Sequence, residues 1–108
     1  MTEPLTPLER ALVELVASEN WSGFRTDGLR VKKRENTGVG RYTYLEDQYK
    51  QRLPDGTYGA QGKLLEMEGI KNGLAFVVDV SGNSINYEEI ATYGDESWDG
   101  VERPWRIV

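Results

Sequence analysis

Hydrophobic and polar positions change their period once along this chain. In "TPLERALVELVAS", Leu5, Leu8, Leu12, Leu15 and Val16 recur at helical spacing. Thr6 suits an N-cap, Pro7 the first helical position and Glu9 the third position of a capping box. The pattern predicts a helix over about 6–18, with Glu9, Arg10 and Glu14 facing away from its apolar stripe. From Leu29 the period falls to two. "LRVKKRE" and "VGRYTYLE" read as a hairpin around the turn residues "NTGVG". "KLLEMEGI", "GLAFVVDV" and "SINYEEIATY" read as three further strands, joined by tight turns at "KNG" and "SGN".

The strand at 74–80 is the most apolar and is expected near the centre of the sheet. Ile85 and Tyr87 are in phase but Ile90 is not, which predicts a β-bulge at Glu88–Glu89. Trp21 and Phe24, in the break after the helix, are expected to cover one end of the core. The connection 46–62 carries a Pro-Asp-Gly turn and is long for a compact domain. Pro104 confines the tail "ERPWRIV" to a sheet edge. The expected architecture is α+β, in one domain over 1–108. Its N-terminal helix packs on an antiparallel meander of about five strands over 28–93, and an acidic, aromatic tail follows at 94–108.

Composition mostly excludes. The 108 residues contain no cysteine and no histidine. Disulfides, thiolate zinc sites, cysteine nucleophiles and the Ser-His-Asp triad are therefore out of reach. No P-loop or paired-carboxylate constellation replaces them, so no enzymatic activity, catalytic residue, cofactor or metal is expected. The first 18 residues lack a basic segment and are interrupted by Glu9, Arg10 and Glu14. They resemble neither a signal peptide nor a membrane span, and a cytoplasmic location is expected.

Charge is unevenly spread. Residues 25–52 hold eight basic and four acidic side chains; residues 79–102 hold seven acidic ones and no basic one. Either oppositely charged strands are neighbours, or an acidic face is offered to a basic partner. "DESWDG" places Asp95, Ser97, Asp99 and Gly100 as in the first half of a calcium loop. However, Arg106 stands where the bidentate acid belongs and Pro104 breaks the run. The better use of this stretch is protein recognition. Glu88, Asp95, Glu96, Asp99 and Glu102, interleaved with Tyr93 and Trp98, would steer and anchor a basic protein partner. The alternative is a small nucleic-acid-binding hairpin built from Arg30, Lys32, Arg34, Arg41, Tyr42 and Tyr44. The sequence pI of about 4.8 weighs against it.

Two segments carry a resemblance. Arg34, Glu35, Thr37, Gly38, Gly40, Tyr42 and Thr43, followed by Glu89, Ile90, Tyr93 and Gly94, resemble the strand pair and last strand of a class of small uncharacterised bacterial proteins. Glu88 stands where that class would have an apolar residue. In size and acidity the chain is also similar in type to immunity proteins that neutralise bacterial toxins. That likeness implies a non-enzymatic inhibitor and brings no catalytic residue or cofactor.

Overall fold

A computed structural model describes residues 2–108. One helix, α1 (Pro7–Asn20), lies on one face of a seven-stranded antiparallel sheet. The strands are β1 (Leu29–Asn36), β2 (Gly40–Asp47), β3 (Gly56–Tyr58), β4 (Leu65–Met67), β5 (Leu74–Ser81), β6 (Ser84–Thr92) and β7 (Trp105–Ile107). The helix starts as its sequence dictates. Thr6 is the N-cap, its hydroxyl accepts from the Glu9 N–H, and the Glu9 carboxylate accepts from the Thr6 N–H. Leu8, Leu12, Val13 and Val16 are fully buried against Leu29, Leu65, Leu74, Val78 and Ile90 of the sheet. Trp21 closes one end of this core, edge-to-face with Phe24 and Tyr58. No helix among the described residues is long and apolar enough to cross a membrane.

The sheet has two strands more than expected, and it is not a meander. Its order is β1-β2-β6-β5-β4-β7, with β3 also on β5. The additional strands, β3 and β7, are three residues long and too short to show a period. β3 orders part of the 46–62 connection by pairing Gly56–Tyr58 with Val78–Val80. β7 is the edge segment expected of the tail and pairs with β4. The long connection after β2 lets the β5–β6 hairpin fold back, so that β6 lies between β2 and β5. The net-basic β1–β2 hairpin therefore lies beside the acidic β6, with β2 and β6 as direct neighbours.

The bulge in β6 is also displaced from Glu88–Glu89. Asp79 pairs with Tyr87 and Val80 with Ile85, which leaves Asn86 as the extra residue. The shift sends Ile85, Glu88 and Ile90 inward and Tyr87 outward. The β5–β6 hairpin closes through Gly82 and Asn83, both at positive φ (62° and 61°), as a two-residue hairpin turn requires.

Candidate functional site

Two polar constellations stand out, one beneath the helix and one on the opposite face of the sheet. The inner one begins with Glu9. Far from facing away from the core, Glu9 is fully buried. It is four residues from both Leu5 and Val13, and so sits within the apolar face. Arg34 grips it with two prongs, Nε to Oε2 at 2.8 Å and Nη2 to Oε1 at 2.7 Å. Thr43 donates to Oε2 at 2.8 Å and Arg41 Nη2 to the same oxygen at 3.0 Å. Burial pushes the Glu9 carboxyl up. The bonds from Arg34, the Thr6 N–H and Thr43, with the charge of Arg41, outweigh this and hold it below its ordinary value.

The C-terminal segment completes the cluster. Glu102 accepts from Arg41 at 2.7 Å and from the Thr6 hydroxyl at 2.7 Å. Arg41 donates to the Gly100 carbonyl, and its guanidinium lies 5.3 Å from the Trp98 ring centroid. Trp98 is 2% exposed and donates its indole N–H to the Val101 carbonyl. Arg34 also pairs with Glu3. Glu3, Glu9 and Glu102 thus supply the counter-charges of both arginines, while the buried Arg41 Nε meets no acceptor among the described residues.

Glu88 is the odd member. It lies on the inner row Arg34–Thr43–Glu88–Val78, is 1% exposed, and neither carboxyl oxygen meets a donor among the described residues. Burial, with the negative charge of Glu9 next, pushes its carboxyl well above the ordinary range despite Arg41. Burial without a donor thus favours its neutral, protonated form over the carboxylate. The surface hollows along the chain, of about 410–540 Å³, are lined by other residues. Glu9, Arg41 and Glu88 line none of these three hollows.

The residues expected to meet a partner are mostly spent in this way. Glu88 and Trp98 are inside the protein. Glu96 accepts from the backbone N–H groups of Lys71 and Asn72, Asp99 pairs with Arg103 at 2.8 Å, and Glu102 is tied to Arg41. Those bonds hold the Asp99 carboxyl down at about 2. Tyr93 and Asp95 remain exposed. The acidic stretch is thus a strap along one end of the sheet. The alternative nucleic-acid set divides as well: Arg34 and Arg41 point inward, whereas Arg30, Lys32, Tyr42 and Tyr44 do not. Arg30 is engaged with the backbone carbonyls of Asp27 and Leu29.

The outer constellation lies on the face that α1 does not cover. Tyr42 and Tyr44 of β2 stack with centroids 6.2 Å apart. Tyr87 of β6 meets them edge-on at 5.2 and 5.8 Å. Lys33 places its Nζ 4.8 Å from the Tyr44 centroid. Glu35 and Glu89 flank Tyr42 in register, and the charge of Glu89 raises the Tyr42 hydroxyl pKa. Ala75, Val77 and Ala91 continue the surface, with exposed Val39 and Tyr93 at the same end of the sheet. Sequence reasoning missed Tyr87, because only the bulge at Asn86 turns it outward beside Tyr42 and Tyr44. Comparison with protein-family models, curated proteins and solved structures finds no match.

Proposed function

We propose that this chain is a non-enzymatic recognition module of the inhibitor or immunity type, which binds a basic protein through the open face of its sheet. The observation that carries this is the cluster of Tyr42, Tyr44 and Tyr87 on the sheet face that the helix leaves uncovered. Antiparallel sheets with one face in water ordinarily show polar residues there. Three mutually packed tyrosines, continued by Val77, Ala75 and Ala91, form instead the rigid aromatic surface that supplies binding energy at interfaces. The face carries Glu35, Glu46, Asp79 and Glu89 against Arg30, Lys32 and Lys33, and the carboxylates Glu35 and Glu89 that flank Tyr42 favour a basic partner. Exposed Tyr93 and Asp95 lie beyond the end of β6 and would form part of its rim.

Selection of ligands from a random-peptide display library tests the reading. Peptides enriched on the wild-type protein should lose at least about tenfold in affinity on a Tyr42→Ala/Tyr87→Ala variant, as removal of aromatic anchors does. The unfolding midpoint serves as the control for folding. Peptides that bind the variant unchanged would overturn it.

The same tyrosines could stack the bases of a single strand, and Lys33 beside Tyr44 favours that second reading. The interior positions of Arg34 and Arg41 and the carboxylates flanking Tyr42 disfavour it. A gel shift with single-stranded RNA at low salt decides, since phosphate contacts are strongest there.

A further inference from the structure

The register divides the open face into rows. One row runs Glu35, Tyr42, Glu89, Val77, and the next runs Lys33, Tyr44, Tyr87, Asp79. On the other side of the first row lie Gly40, Ala91 and Ala75, a floor of small residues beside the tyrosine wall. Adjacent strands are about 4.8 Å apart, so Glu35 and Glu89 stand on either side of the Tyr42 ring at roughly 10 Å from each other.

We propose that this row is a cation subsite: Tyr42, between Glu35 and Glu89, takes an arginine or lysine side chain of the protein partner. The methylene stem of that side chain lies on the Gly40–Ala91–Ala75 floor. The subsite rests on the open face being the recognition surface, and it adds the chemistry that the surface selects.

Three observations support it. The neighbouring row already holds such an arrangement within the chain, with the Lys33 ammonium over the Tyr44 ring at 4.8 Å. Among the described residues, neither Glu35 nor Glu89 has an ion-pair partner. Asp79 in the next row is taken up by Thr57, Ser81 and Asn86, and Asp99 and Glu102 of the strap are paired with arginines. Carboxylates without an ion-pair partner on both sides of an aromatic ring suit a planar guanidinium, which can stack on the ring and hydrogen-bond at its edges. Ala75 and Ala91, half-buried beside Tyr42, carry no side chain larger than a methyl group, which leaves room for an aliphatic stem over them.

Titration of the ¹⁵N-labelled protein with an acetylated hexa-arginine peptide tests the subsite. The expected shifts fall on Gly40, Tyr42, Glu89 and Ala91. A Glu35→Gln/Glu89→Gln variant should bind about tenfold more weakly, as the loss of two exposed ion pairs implies. A Tyr42→Leu variant should weaken binding about threefold or more, through the lost cation–π contact. A Glu19→Gln/Glu68→Gln variant, changed at the exposed end of α1 and just after β4 and with the same net charge as the double glutamine, should bind as the wild type does. Equal losses in the two double variants, or shifts that map to the strap, would overturn the subsite. Display-selected peptides that need Tyr42 and Tyr87 yet bind the Glu35→Gln/Glu89→Gln variant unchanged would remove the cation subsite and leave the recognition face standing. Selected peptides indifferent to the tyrosines would remove both.

Discussion

Glu88 offers an unusual prediction, because taking away a fully buried charged-type residue should strengthen the fold. Both of its oxygens are buried without a donor. An unsatisfied buried polar group costs about 1–3 kcal/mol. Glu88→Met keeps the volume and removes both oxygens, so it should raise the unfolding free energy by about 1–3 kcal/mol at neutral pH. The pH dependence is a second, independent readout. The Glu88 carboxyl is raised in the folded state above its ordinary 4.5. The folded protein therefore keeps a proton that the unfolded chain has released. Its contribution is fully present below about pH 4.5 and is lost as pH rises through the folded-state value, with a slope of about 1.4 kcal/mol per pH unit. Glu88→Gln cannot titrate and should abolish that slope.

The chain has no histidine or cysteine to titrate near neutrality, so the signal is clean. Urea unfolding of the wild type, Glu88→Gln and Glu88→Met at several pH values between 5 and 8 makes the comparison. If Glu88→Met were destabilised and the wild type and Glu88→Gln ran parallel with pH, Glu88 would be an ionised partner of Arg41. The reasoning would then be wrong.

Other perturbations give simpler readouts. Glu9→Gln leaves Arg34 and Arg41 without their shared counter-charge and should cost about 3–5 kcal/mol. Because the Glu9 carboxyl is held below its ordinary 4.5, its contribution is present above that pH and lost as pH falls. The variant should accordingly show a flatter acid limb in urea titrations, and an unchanged limb would place Glu9 outside the cluster. A Cβ on Gly40 would lie 2.4 Å from the Ile90 carbonyl oxygen, so Gly40→Ala should force β2 from β6 and cost about 1–3 kcal/mol. A wild-type urea midpoint would contradict that pairing. Trp98→Ala empties a site where the ring is 2% exposed, and about 3–5 kcal/mol should be lost in the same assay. Acrylamide should quench one tryptophan, Trp105, far more readily than Trp21 and Trp98. Three equally accessible rings would place the strap elsewhere.

The local devices were legible in the sequence and the long-range ones were not. Thr6, Pro7 and Glu9 specify the helix start through contacts within one turn, and the period-two runs at 29–47 and 74–92 became β1, β2, β5 and β6. The partner of β2 depends on how a long connection folds back, and no local pattern encodes that choice. The bulge at Asn86 shows how much rests on one residue. Placed two positions later, it would keep Tyr87 in phase with Ile85; where it stands, it turns Tyr87 outward and Glu88 inward.

The charge segregation was visible, but its meaning depended on contact. The basic β1–β2 hairpin and the acidic strap meet beneath the helix at Arg34, Arg41, Glu9 and Glu102. The acids first assigned to a partner are thereby largely neutralised within the fold. Signals for this were present. Arg41 alternates in phase with Thr43 and the buried Leu45, Glu88 with the buried Ile90, and Glu9 falls between Leu5 and Val13. A charged residue in phase with core positions is either buried and paired or misassigned, and only the tertiary structure distinguishes the two.

Recognition through the tyrosine face is tested most directly by where a bound ligand sits. Chemical-shift mapping of the tightest display-selected peptide on the labelled protein should move Gly40, Tyr42, Tyr44, Tyr87, Glu89 and Ala91 and leave α1 unshifted. Shifts confined to α1 or to the strap around Asp95 and Asp99, with the tyrosine rows unmoved, would contradict it.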